Sequence, residues 1–443
     1  MVTLRMAARR RGLHAKRNWH VSVFLFLGLT FLVALFALLS LITGKGSDNS
    51  DLPKSTTGLC DTPLMYDILL DAGSTGTRVH IFEYNKWRLV GEVYNSTHPG
   101  LSQLASDDSA NISANLQPLM ATAVRAIPEV YHPCTKVTLK ATAGLRLLPP
   151  EKVEFILRET KKVLRRYPFV VGSVSVMDGD EEGMDAWLTV AYLLGRFDRS
   201  AEGTPNSTAK RIATIDMGGA STQLVLQMSP GYTGETQFIT SLHFGVTEIP
   251  LYTYSFLGLG LRQATLEVLR ELTAVERTSF PCFPSRYRHR IDGEGGVSFV
   301  ENIDGNAQGF GACLRFFHRF INTRSSEHLA ALRGGRHVLK FAEGAQSVEI
   351  FAFSFFHRLW RLRPADNVTV QYYKELGEQV CSAGGKHNSG TNCMDVAYLY
   401  GFLTSGLGLS DKTKLNVPYV LSDVKVTWAL GASLLSVEGK VRR

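Results

Sequence analysis

Asp71 and Asp216 each close a short apolar run and open a turn made of small and hydroxyl residues. The first run, Ile68-Leu69-Leu70, leads through Asp71 into Gly73-Ser74-Thr75-Gly76-Thr77, and Val79, Ile81 and Phe82 resume an apolar strand. The second, Ile212-Ala213-Thr214-Ile215, leads through Asp216 into Gly218-Gly219-Ala220-Ser221-Thr222, followed by Leu224-Val225-Leu226. Glycines let the backbone bend sharply and approach a ligand closely. Successive amides joined by hydroxyls form a concave site for phosphate oxygens. A carboxylate at the strand end is placed to hold a divalent cation, directly or through water. One such turn is also what Asp and Gly form for local reasons. Two of them point to a duplicated half-domain whose loops face one polyphosphate, with Asp71 and Asp216 flanking the metal.

Other stretches carry chemistry less specifically. Val137 to Arg146 reads as a strand ending in a small-residue turn, in which Thr142 lies either at a phosphate or in a structural turn. Val174 to Gly183 runs from a strand into the acids Asp178, Asp180, Glu181 and Glu182, and a helix follows over residues 184–195. Those acids suit a helix start, where they offset the macrodipole. A carboxylate beside a phosphate equally suits proton abstraction from water. Phe355 and Phe356, in the aromatic run from Phe351 to Arg358, read first as core and otherwise as a wall on which a base stacks. HExxH, GxSxG and GxxxxGK[ST] are absent, which argues against zinc protease, serine hydrolase and P-loop chemistry.

The elements that must position these residues follow a membrane segment. The chain has 443 residues, 44% apolar, which suits two or three globular domains. Residues 1–20 form a basic tail without acids, and residues 21–43 carry no charge and are long enough to cross a bilayer. The cationic flank should stay in the cytosol, which predicts a type II signal anchor with everything after it lumenal or outside. The tail supplies six of the eight net positive charges, so no nucleic-acid partner is read from the charge. A polar stem spans residues 44–65. Six cysteines without a CxxC pair fit a lumenal setting. Cys282 is expected to pair with Cys313 and Cys381 with Cys393, while Cys60 and Cys134 are paired or free. Sequons at Asn95, Asn111, Asn206 and Asn367 agree with that topology. Residues 283–311 read as a polar loop insertion, and residues 424–436 as a closing helix.

In order along the chain, Asp71 to Arg78, Ala141 to Arg146, Asp180 to Gly183 with Trp187, Asp216 to Gln223, and Trp428 to Ala432 resemble the five apyrase-conserved regions of the nucleoside triphosphate diphosphohydrolases. Leu145-Arg146-Leu147-Leu148-Pro149 looks most like the Golgi and endoplasmic reticulum nucleoside diphosphatases. The resemblance implies an α/β, actin-like fold of two ribonuclease-H-like lobes with the active site in the interlobe cleft. It divides the globule into residues 66–175 plus 410–443 and residues 176–409. It implies Glu182 as general base, Ser221 and Gln223 orienting the attacking water with Thr142 nearby, phosphate cradles at residues 73–77 and 218–222, and Asp71 and Asp216 holding Ca²⁺ or Mg²⁺ largely through water. The implied activity is hydrolysis of the terminal phosphate of nucleoside diphosphates, GDP or UDP, and of triphosphates, in the secretory-pathway lumen; a cell-surface or shed form fits the same anchor. The chain departs from the related diphosphatases at residues 355–358, at Lys425 and at Thr427, which bears on base preference. A sugar kinase, an exopolyphosphatase or a non-catalytic nucleotide-binding protein of the same fold is the alternative, and the oligomeric state is not legible.

Overall fold

The computed structural model describes residues 60–441 apart from 61, 87, 105–108, 198–209, 230–231, 233–236, 275–279, 284–286, 294–295, 304–308, 346–347, 361–366 and 383–391. The basic tail, the membrane segment, most of the stem and Asn206 lie outside the described residues. Among the described residues no helix is long and apolar enough to cross a membrane.

Two sheets carry the fold. The first is built from β1 (Leu64–Ala72), β2 (Thr77–Asn85), β3 (Arg88–Thr97), β4 (Lys136–Ala141) and β5 (Val170–Val176), in the order β3-β2-β1-β4-β5. β1, β2 and β3 pair antiparallel, whereas β4 lies parallel to β1 and β5 parallel to β4. Later in the chain come β6 (Arg211–Met217), β7 (Ser221–Gln227), β8 (Ile239–Phe244), β9 (Thr247–Leu257), a hairpin of β10 (Tyr287–Gly293) and β11 (Gly296–Ile303), then β12 (Val348–Ser354), β13 (Asn367–Thr369) and β14 (Lys414–Asn416). The second sheet runs β13-β14-β12-β6-β7-β9-β8. Its segment β9-β7-β6-β12-β14 repeats the first sheet strand for strand: antiparallel β6, β7 and β9, then β12 parallel to β6 and β14 parallel to β12. The duplication suggested by the two Asp loops is therefore a duplication of topology.

Helices cover the sheets. Against the first lie α1 (Ser109–Ala126), α2 (Ala143–Arg146) and α3 (Pro150–Leu164). Alternation along β1 and β2 sends Ile68, Leu70, Val79 and Ile81 into a core with Ile112, Leu116, Leu119 and Ile156. The other face sends Leu69 and Phe82 into a core shared with α4 (Gly179–Leu193), strands of the second sheet, and the final helix. The second lobe adds α5 (Leu261–Ala274), α6 (Phe310–Asn322), α7 (Ser326–Ala345), α8 (Phe355–Trp360), α9 (Val370–Val380) and α10 (Asn392–Gly401). After a short hairpin, β15 (Val420–Leu421) and β16 (Val424–Lys425), α11 (Ala429–Val441) closes the chain.

Three local expectations change. The acidic turn is already helical, since α4 begins at Gly179 and Asp178 caps it by accepting from the Asp180 amide at 2.8 Å. The expected loop over residues 283–311 holds a hairpin, because alternating apolar residues such as Val297 and Phe299 suit a strand better than the Gly-rich composition suggests. The closing helix starts at Ala429 rather than residue 424, after β16. The cysteines form Cys282–Cys313, Cys381–Cys393 and also Cys60–Cys134.

Candidate active site

The two loops are built alike. Asp71 lies in register opposite Arg78, and Asp216 opposite Gln223. One amide-to-carbonyl bond closes each loop, Gly73 N to Gly76 O at 3.1 Å and Gly218 N to Ser221 O at 2.9 Å. Other loop carbonyls are also occupied. Ser74 O accepts from Gln103 Nε2, and the Gly218, Gly219 and Ala220 oxygens accept from the amides of Leu261, Gln263 and Gly258. Oxygens that would repel an anion are thus tied to the scaffold. The loops meet: a Cβ added to Gly219 would fall 2.4 Å from Ser74 Oγ and 2.9 Å from Thr75 Cγ2. A side chain at 219 would have to push the ends of the Ser74 and Thr75 side chains aside. Thr142, the N-cap of α2, stands on the flank of the first loop, where its amide donates to Ala72 O and a Cβ on Gly144 would sit 2.7 Å from Ser74 Cα.

Glu182 reaches the same place from the first turn of α4. It is 7% exposed. Arg146, the last residue of α2, forms a salt bridge with its Oε2. Burial pushes the Glu182 carboxyl up to about 8; Arg146 opposes this, and Asp216 and Asp71 add to it. Three carboxylates therefore feel one another. Gln223 Nε2 donates to Ser221 Oγ at 2.7 Å and to Ser255 Oγ at 2.9 Å, and lies 3.4 Å from Glu182 Oε2. An amide NH₂ has two hydrogens, so the two short bonds take both. Ser221 and Gln223 thus form a fixed pair beside the carboxylate.

Asp71 and Asp216 are both buried. Asp71 Oδ2 accepts from Arg78 Nη1 at 3.1 Å, while Asp71 Oδ1 and Asp216 Oδ1 are buried without a hydrogen-bond partner. Burial raises the Asp216 carboxyl to about 6; Ser354 and Arg78 work against that and Asp71 with it. Two buried, unpaired carboxylate oxygens on facing loops suit a hard divalent cation. Among the described residues no group of three or more His, Cys, Asp or Glu side chains is arranged as a metal cage.

Sequence reasoning missed Arg146, Ser255 and Ser354 as neighbours of the site. Arg146 was visible only as part of a motif, and nothing local marks the two serines. The aromatic candidates are corrected. Phe355 is 8% exposed and Phe356 is completely buried, both in the core of the second lobe, with Tyr373 edge-on to Phe356 at 6.0 Å. Apolar rings after a buried strand gain more from packing than from water, so neither is a base-stacking wall.

The sequence profile of the GDA1/CD39 (nucleoside phosphatase) family matches residues 58–334. The chain belongs to that family. This nucleoside phosphatase is 33% identical over 399 residues to human nucleoside diphosphate phosphatase ENTPD5, covering 83% of this chain and 86% of the relative. It is 31% identical over 403 residues to ectonucleoside triphosphate diphosphohydrolase 6 of Rattus norvegicus, covering 83% of this chain and 81% of the relative. In fold it is similar to the nucleoside triphosphate hydrolases from Neospora caninum, with a TM-score of 0.55 at 16% identity over 86% of this chain and 94% of that one.

Proposed function

We propose that this nucleoside phosphatase hydrolyses the terminal phosphate of nucleoside diphosphates, and of triphosphates, in the lumen of the secretory pathway, with Ca²⁺ or Mg²⁺ as cofactor. The observation that carries the reading is the convergence of Glu182, Gln223 and Ser221 on two facing loops, each preceded by a buried Asp at the end of its strand. The repeated strand layout supports the actin-like assignment with the site in the cleft between lobes. The division into residues 66–175 plus 410–443 and residues 176–409 is supported by the two sheets and by Lys425 of β16, whose amide donates to Glu92 of β3. The diphosphate preference rests on the names of the relatives.

The loops at residues 73–77 and 218–222 grip the phosphate chain through amides and hydroxyls. Gln223 and Ser221 orient a water against the terminal phosphorus, with Thr142 beside the first loop. Glu182 takes the proton of that water as its oxygen bonds to phosphorus and the bond to the bridging oxygen breaks. Arg146 keeps the carboxylate aimed. A cation bound between Asp71 and Asp216 would supply charge stabilisation on the phosphate oxygens.

The lumenal setting is supported by the uncharged segment at residues 21–43 behind its basic flank, by three disulfides, and by the absence of free cysteines among the described residues. Glycosylation falls on Asn111 and Asn367, which are exposed. Asn95 is engaged, donating to Thr122 Oγ1 at 2.9 Å and accepting from the Ser96 amide.

The test is a substrate panel of GDP, UDP, ADP and ATP with Mg²⁺ or Ca²⁺ on the purified chain. Glu182→Gln should lower kcat by roughly 10²- to 10⁴-fold with little change in KM. Phosphate release that survives this substitution would overturn the assignment of the base. Protease protection in sealed vesicles tests the topology.

A further inference from the structure

The strand repeat sets a row of side chains across each sheet. In the first, Asp71 of β1 lies opposite Arg78 of β2, which lies opposite Ser96 of β3. In the second, Asp216 of β6 lies opposite Gln223 of β7, which lies opposite Ser255 of β9. Residues opposite one another in a ladder share a face and reach each other. The middle residue behaves differently in the two rows. Arg78 turns to its aspartate, donating from Nη1 to Asp71 Oδ2 at 3.1 Å. Gln223 turns the other way, donating to Ser255 Oγ at 2.9 Å and, along its own strand, to Ser221 Oγ at 2.7 Å.

The chemistry of the amide decides what this does. Around Gln223 Nε2 lie the two serine oxygens and Glu182 Oε2, the last at 3.4 Å. An amide oxygen in that place would face a carboxylate, so the nitrogen belongs there. Its two hydrogens go to the two serines, which fixes the amide at two points. With Ser221 alone the amide could turn about a single hydrogen bond. Held at both, Gln223 presents Oε1 as the atom that can accept a hydrogen from water. Ser255 is itself held. A Cβ on Gly179, the first residue of α4, would fall 2.4 Å from the Ser255 Cβ and Oγ, so the helix that carries Glu182 packs directly on this serine.

We infer that Ser255 is a positioning residue: its hydroxyl locks the Gln223 amide with Oε1 toward the attacking water, and it acts on the reaction only through Gln223. The inference rests on the water-orienting role of Gln223 in the proposed function.

GDP and UDP hydrolysis by the full chain with Mg²⁺ tests this in a double-mutant cycle. Ser255→Ala should lower kcat about 3- to 10-fold, the worth of one hydrogen bond, with KM and melting temperature unchanged. In a Gln223→Ala background the same substitution should lower kcat no further, because no amide is left to orient. A serine that merely supports the fold would cost the same factor in both backgrounds. Equal factors in the two backgrounds, an unchanged kcat in Ser255→Ala, or an effect on KM alone would each overturn the inference and leave the proposed function standing. Gln223→Ala turning over at the wild-type rate would overturn the inference together with the water-orienting role beneath it.

Discussion

Glu182 is held by opposing forces. Burial and the two aspartates favour its protonated form, and Arg146 favours the ionised form. Arg146→Ala should move the acid limb of the pH–kcat profile to higher pH, because the remaining influences all raise the carboxyl; an unmoved limb would mean that Arg146 does not act on Glu182. The same balance bears on stability. Without a bound cation, burial and the two aspartates hold the Glu182 carboxyl in the folded protein up to about 8, against 4.5 for the free group. Its contribution to stability is thus complete below the lower value and lost as pH rises through the upper one. In chelator, Glu182→Gln should melt higher than wild type at pH 9 and at the same temperature at pH 4, as differential scanning calorimetry would record.

Helix α4 sets the reach of Glu182, and both lobes hold it. Lys140 of β4 pairs with Glu181 and lies 3.7 Å from Asp185. From the other lobe's side, Trp187 Nε1 donates to Ile212 O at 3.1 Å. Helix α11 then crosses so closely that a Cβ on Gly431 would fall 2.0 Å from Asp185 O, and the Gly431 amide donates to Thr189 Oγ1 at 2.8 Å. Gly431→Ala must separate the helices. An overpacked contact of this kind costs about 1–3 kcal/mol. The denaturation midpoint should fall accordingly, and kcat should fall with it because α4 carries the base; a variant of unchanged midpoint would show that α11 yields freely.

Across the whole globule the disulfides close loops of very different size. Cys60–Cys134 spans 74 residues, Cys282–Cys313 spans 31 and Cys381–Cys393 spans 12. Chain entropy predicts stabilisation from about 3 kcal/mol for the shortest to about 4.5 kcal/mol for the longest. Replacing each pair by serine and measuring urea midpoints should reproduce that order, with the Cys60–Cys134 pair costing most. The first of these bonds ties the entry of the chain into β1 to the short helix Glu129–Cys134 that precedes β4. It thereby staples the starts of the parallel strands β1 and β4, at the end of the sheet opposite the first Asp loop.

Much of the site was legible because its chemistry is local. An apolar strand ending in Asp, followed by residues small enough for a phosphate to approach, is a property of seven or eight consecutive positions, and its recurrence at Asp216 signalled the repeated lobe. Whether a buried strand's aromatics face a base or a core is not local. Periodicity marks two faces without saying what covers them, so Phe355 and Phe356 were settled only by the packing around β12. The same holds for Arg146 beside Glu182, for Ser255 beneath Gln223, and for the union of Cys60 with Cys134. Each joins positions far apart in the chain, and only closure of the two sheets around α4 and α11 brings them within reach.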